Sequence, residues 1–213
     1  KLSTKKINLI GNLKFSEIDD NKQNSINDKL SHIFKKKKVW VASSTHANEE
    51  IFCANTHIEL SKRIKNLLTI IIPRHVHRVK EIVNSIKRLN LNILTHSSKN
   101  KNLKNIDIYV VDTFGETKNF HKIGGSVFLG GSIINRGGQN PLEAARFGAR
   151  ILHGPNIQNF KDVYKFLKII NVSKKIKSPK DLAKLIIFKK NKDIGIKIKK
   201  IGGKILKKTI KEL

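Results

Sequence analysis

Short apolar runs at residues 8–10, 39–42, 67–72, 92–94, 106–111, 127–129 and 150–152 alternate with stretches of helical character, and this alternation leaves few folds open. The helical stretches lie near residues 49–64, 77–89, 141–147 and 161–167. Strands separated by helices build βαβ units, and each crossover returns the chain to run parallel to the strand it left. A Rossmann-like α/β domain is therefore expected, a parallel sheet with helices on both faces. Ser178-Pro179 opens a further helix, with proline at its start. From Lys192 on, Ile194, Ile198, Ile201 and Ile205 keep helical spacing with lysines opposite, although Gly202-Gly203 can break that helix. Residues 97–105, rich in Asn and Lys, read as an exposed loop.

Four of the apolar runs end in loops with ligand-binding chemistry. The run at 39–42 leads into Ser43, Ser44, Thr45 and His46, and that at 67–72 into Pro73, Arg74 and His75. The run at 106–111 leads into Asp112, Thr113, Phe114, Gly115 and Glu116. The fourth leads into GGSIINRGGQNPLEAA, residues 130–145, a glycine-rich loop that opens a helix. Asn140 suits the N-cap, Pro141 the first helical position, and Glu143 stands at capping-box spacing. Glycines admit a ligand close to the backbone, and a helix start offers unpaired N–H groups to an anion. In an open parallel sheet, ligands bind beyond the carboxyl ends of the strands, so the four loops point to one crevice.

Composition narrows the partners. Lys and Arg number 44 against 16 Asp and Glu, a net charge of +28, which favours anionic ligands: a nucleotide, nucleic acid or an anionic membrane. Lys, Asn and Ile are abundant throughout the chain, which dilutes charge as a guide to any one of these. The lone Cys53 excludes an internal disulfide and argues against a thiolate zinc cluster; it reads as a core thiol. No apolar stretch approaches the roughly 20 residues of a membrane-spanning helix. Nor does the start of the sequence have the apolar core of a signal peptide.

The segments GNLKF, ASSTHANEE, IIIPRH, VDTFGE, GGSIINRGGQNPLEAA and HGPNIQNF, in this order across residues 11–160, resemble the carboxyl-terminal half of the 3-deoxy-D-manno-octulosonic acid (Kdo) transferases. Gln139, Ala144, Ala149-Arg150 and Ile123-Gly124-Gly125 depart from the family's usual residues. The resemblance implies the carboxyl-terminal domain of a GT-B glycosyltransferase, a CMP-sugar-binding unit over residues 1–180 followed by Lys-rich helices over 181–213. It implies an inverting transfer of Kdo from CMP-Kdo to a lipid A precursor at the cytoplasmic face of a Gram-negative inner membrane. No cofactor and no metal are expected.

Carried over by position, the CMP-binding residues would be Pro73, Arg74, Phe114, Gly115, Glu116, Asn140, Pro141, Leu142 and Glu143. Ser44, Thr45, His46, Gly131 and Ser132 are candidate sugar or phosphate contacts. Lys14 would stabilise charge in the transition state. Arg74 offers a planar fork to phosphate, and the carboxylates accept from hydroxyl or amine donors. Competing structural roles stand beside these: Glu143 as a helix cap, Ser44 and Thr45 as caps of the helix near 49, and Phe114 as a core aromatic. The family's general base and acceptor site would lie in an amino-terminal domain ahead of Lys1, so this chain by itself is expected to bind donor without turning over. Two other readings remain at this level: a GT-B transferase using another nucleotide sugar, and a basic nucleic-acid-binding module. The second fits poorly, because the lysines are scattered and not interleaved with aromatics.

Overall fold

The computed structural model describes residues 28–99 and 102–211, so Lys14 and the strand expected at 8–10 lie outside the described residues. Among the described residues seven parallel strands form one sheet: β1 (Lys38–Thr45), β2 (Leu67–Pro73), β3 (Ile93–Thr95), β4 (Ile108–Val110), β5 (Ser126–Leu129), β6 (Arg150–His153) and β7 (Ser173–Lys175). Their order across the sheet is β3-β4-β2-β1-β5-β6-β7. The helices are α1 (Asp28–Lys35), α2 (Glu49–Ser61), α3 (Val79–Lys87), α4 (Thr117–His121), α5 (Leu142–Arg146), α6 (Lys161–Ile169), α7 (Pro179–Leu185) and α8 (Lys192–Lys211).

Burial on both faces explains why the central strands read as unbroken apolar runs. Every residue of β2, LLTIIIP, is buried. Alternate side chains divide between two cores. Val39 and Val41 of β1, with Leu68 and Ile70 of β2, pack under α1, α4, α5, α6 and α8. Trp40 and Ala42, with Leu67 and Ile71, pack under α2, α3 and α7. Cys53 is fully buried in the second core, where burial lifts its thiol well above the usual range and leaves it inert.

Three elements have no clear mark in the sequence. Helix α4 is only five residues of mixed polarity, TKNFH, held by the burial of Phe120. Strand β7, SKK, carries no apolar residue and, among the described residues, pairs only with β6 at the sheet edge. Helix α1 rests on Leu30 and Phe34, the latter edge-on to Tyr109 at 5.5 Å. The glycine pair at 202–203 does not stop α8, because Ile194, Ile198, Ile201 and Ile205 anchor it on the first core. A domain boundary at residue 180 falls inside α7, whose Leu182 and Ala183 are buried in the second core, so α7 packs on the sheet.

Two glycines make opposite demands. A Cβ on Gly130 would stand 2.3 Å from the carbonyl oxygen of Ser44, where the loops after β1 and β5 touch. A Cβ on Gly203 would meet nothing. Gly130→Ala is expected to lower stability by about 1–3 kcal/mol, and Gly203→Ala to raise it by about 0.5–1 kcal/mol, both read from urea unfolding of the 213-residue chain.

Candidate functional site

The chain leaves β1 toward β2 on one side and later occupies the other side with β5, so the strand order reverses between β1 and β5. Loops leaving two neighbouring strands in opposite directions open a crevice at their carboxyl ends. Ser43 of β1 lies in register with Leu129 of β5, which sets the loop after Ser44 beside the glycine-rich loop. The loops after β2 and β4 flank them, because those strands follow β1 in the sheet. Arg74 N–H donates to the Thr45 carbonyl at 2.9 Å and ties two of the loops together.

Glu49, the first residue of α2, is fully buried beneath this crevice. Its carboxylate accepts from four backbone N–H groups: His46 at 3.0 Å, Gly131 at 2.7 Å, Ser132 at 3.1 Å and Ile133 at 3.0 Å. The glycine-rich loop therefore spends its inward N–H groups on a side chain of the protein. Gly131 sits at φ 65°, and a Cβ there would press within 3.3 Å of the His46 ring.

Two further carboxylates line the crevice, and each is held by a histidine. His121 Nδ1 lies 2.8 Å from Glu143 Oε1, and its Nε2 lies 3.0 Å from the Ser43 hydroxyl. His96 Nε2 lies 2.9 Å from Glu116 Oε2, and its Nδ1 lies 2.8 Å from the Tyr109 hydroxyl. Burial alone would raise the Glu143 carboxyl, but the hydrogen bond and charge of His121, with Lys118 and Arg146 nearby, hold it below its ordinary range. It is ionised and acceptor-only at neutral pH.

Asn140 Oδ1 accepts from Leu142 N–H at 3.0 Å, although the N-cap position of α5 falls on Pro141, one residue later than the sequence suggests. Glu143 does not complete a capping box; its Oε1 turns to His121. Arg74 is exposed and makes no ion pair among the described residues. Phe114 is 80% exposed, which removes its reading as a core aromatic, and Gly115 beside it sits at φ 82°. His46 is partly buried, its Nδ1 donating to the Ser44 carbonyl at 3.1 Å. Ser44 itself adopts φ 55°, a left-handed conformation at the mouth of the crevice.

The remaining expected contacts are less available to a ligand. Thr45 and Ser132 are fully buried. Ser132 Oγ both donates to the Leu129 carbonyl and accepts from Gly154 N–H, so its hydroxyl is committed to loop structure. The side chains of Pro73, Pro141 and Leu142 are buried too, which leaves shaping of the backbone as their part. Glu49, His96 and His121 build the site without a mark in the sequence. A lone histidine or glutamate gives no signal until the fold supplies its partner.

Beneath His121, Lys190 Nζ donates to the His121 carbonyl at 2.9 Å, and burial pushes its pKa down to about 8. It lies with Lys122 and Lys199 around the Phe147 ring, each ammonium within 5.8 Å of the centroid.

A seven-stranded parallel sheet with its crevice at a strand-order reversal is the architecture of the carboxyl-terminal domain of a GT-B glycosyltransferase. One match in three dimensions is the crystal structure of the C-terminal CMP-Kdo binding domain of WaaA from Acinetobacter baumannii, with a TM-score of 0.67 at 20% identity, over 84% of this chain and 95% of that one. The chain is a relative of the 3-deoxy-D-manno-octulosonic acid transferases. That of Rickettsia typhi is 33% identical over 202 residues, covering 93% of this chain and 43% of the relative. That of Haemophilus influenzae is 28% identical over 163 residues, covering 76% and 38%. A bifunctional glycosyltransferase/methyltransferase of Fusobacterium nucleatum is 31% identical over 186 residues. No family model matches. The chain spans about two fifths of the length of the transferases it matches.

Two outcomes test the site's construction. Glu49→Ala strands four backbone donors, two buried and two half-buried, and is expected to cost at least about 3 kcal/mol of stability. Lys190 has a lowered proton affinity in the fold, so its cost is full below about pH 8 and is relieved as pH rises toward the usual lysine value of 10.5. Lys190→Met is therefore expected to melt above the parent at pH 7, with the gap narrowing by pH 10.

Proposed function

We propose that this chain is the donor-binding part of an inverting glycosyltransferase that moves Kdo from CMP-Kdo to a lipid A precursor. The observation that carries the reading is the switch-point crevice. Arg74, Glu116 and Glu143 arrive there on loops from three different strands, and Glu143 is held ionised by His121. Arg74 takes the phosphate through paired charge-assisted hydrogen bonds. Glu143 accepts from ribose hydroxyls, and the Phe114-Gly115-Glu116 turn receives the base, with Glu116 accepting from an amine donor. Lys14 supplies positive charge to the departing cytidylate, and no divalent metal is required. The family relationship supports this assignment of donor and reaction. The nucleic-acid reading has little to stand on, because Trp40 is fully buried and Phe114 is the one exposed large aromatic among the described residues.

Titration calorimetry with CMP, UMP, GMP and single-stranded DNA, with and without magnesium, tests the reading directly. CMP is expected to bind more tightly than the others and equally well in chelator. Arg74→Ala is expected to weaken CMP by about 1.5–3 kcal/mol and to leave cytidine almost unchanged. Equal losses for the two ligands would assign Arg74 to loop structure.

The acceptor and its membrane bear on α8. Ile194, Ile198, Ile201 and Ile205 pack on the domain, while Ile196 and Lys197, Lys199, Lys200 and Lys204 are exposed. A lysine face of this kind adheres to anionic lipid at about 1 kcal/mol per basic residue near the surface. We therefore place the domain against the cytoplasmic face of the inner membrane. Salt-sensitive sedimentation with phosphatidylglycerol vesicles and none with phosphatidylcholine is the expected result, lost when these four lysines are changed to Glu.

A further inference from the structure

We infer that His121 is a positioning residue for sugar recognition: it turns the Glu143 carboxylate so that one oxygen is fixed and the other faces the crevice to accept from a ribose diol. The inference rests on the reading of Glu143 as a ribose ligand and adds the device that makes it one. Glu143 Oε1 is buried against His121 Nδ1 at 2.8 Å, whereas the side chain as a whole keeps 24% exposure. The carboxylate is thus split between a buried oxygen and a reachable one. An unsupported glutamate at the start of a five-residue helix keeps three rotatable bonds, and ordering it on binding costs affinity.

The histidine is itself oriented. His121 is 3% exposed, and its Nε2 meets the Ser43 hydroxyl, which belongs to β1 at the centre of the sheet. The ring thus stands between a sheet hydroxyl at Nε2 and the Glu143 carboxylate, whose Oε1 it meets in an ion-pair contact at Nδ1. Lys190 closes the arrangement from below by donating to the His121 carbonyl. The chain from Ser43 through His121 to Glu143 transmits the rigidity of the sheet to a side chain on a short helix. The Tyr109–His96–Glu116 contacts repeat the arrangement at the other wall of the crevice. A hydroxyl on the sheet, an imidazole and a carboxylate at the ligand face recur in both.

The test compares CMP with 2′-deoxy-CMP binding to the 213-residue chain and its variants, alongside melting temperature. The parent is expected to prefer CMP by roughly tenfold, the worth of one charge-assisted hydrogen bond. Glu143→Gln and His121→Phe are both expected to bring the two ligands to within about twofold of one another. His121→Asn, whose amide can stand where Nδ1 stood, is expected to retain the preference, and Ser43→Ala to lose part of it. A merely structural histidine would lower affinity for both nucleotides alike and leave their ratio intact. Loss of the preference in Glu143→Gln with full preference in His121→Phe overturns the inference and spares the ribose reading. Full preference in Glu143→Gln overturns that reading itself, and the inference falls with it. Should His121→Phe fail to fold, Ser43→Ala decides, and a parent-like ratio there overturns the inference.

Discussion

The architecture of the crevice depends on one buried carboxylate. Glu49 lies at the start of α2 and gathers four N–H groups from two loops that follow different strands. An ionised group taken out of water persists only if it is well bonded, and four donors satisfy that condition. The consequence reaches beyond stability. In many βαβ nucleotide sites the glycine-rich loop and helix start hold the phosphate with backbone N–H groups. Here the N–H groups of Gly131, Ser132 and Ile133 already hold an anion that is part of the chain. On the proposed reading, a phosphate is then taken by side chains, and Arg74, exposed and without an ion pair among the described residues, has the charge for it.

The same economy runs through the walls of the site. Carboxylates beside an anionic ligand are an electrostatic liability unless their orientation and charge are controlled. Glu116 and Glu143 each sit against an imidazole, and each imidazole is steadied by a hydroxyl from a sheet residue. Positive charge surrounds them: the chain carries +28 overall, and Lys118 and Arg146 act on Glu143 directly. The two carboxylates are acceptors set in a positive field, suited to a ligand that combines phosphate with hydroxyl and amine donors. The proposed donor, a cytidine monophosphate sugar, has that combination.

The apolar runs and their spacing determined the α/β class, the parallel sheet and the buried centre, because period and run length report burial on one face or two. The helix start near 140–142 was legible too, where Asn140 Oδ1 accepts from Leu142 N–H, as was the apolar stripe of α8. The stripe overrode two glycines that local propensity would have used to end the helix. Residue type and loop position made Arg74, Glu116 and Glu143 candidates, and the resemblance to the transferases is what gave them roles toward CMP.

What only the tertiary structure decided was which polar groups remain free. Sequence places Gly131, Ser132 and Glu143 near a helix start but cannot say that Glu49, more than eighty positions earlier, consumes the N–H groups of the first two. Nor can it say that His121 draws the third out of a capping box. Helix α4 and strand β7 were invisible for a related reason: with few or no apolar residues of their own, they exist because the sheet offers them an edge or a core to complete. Periodicity records how a residue meets the solvent, and that is local. Hydrogen-bond partnership between loops far apart in the chain is settled only when the sheet has brought them together.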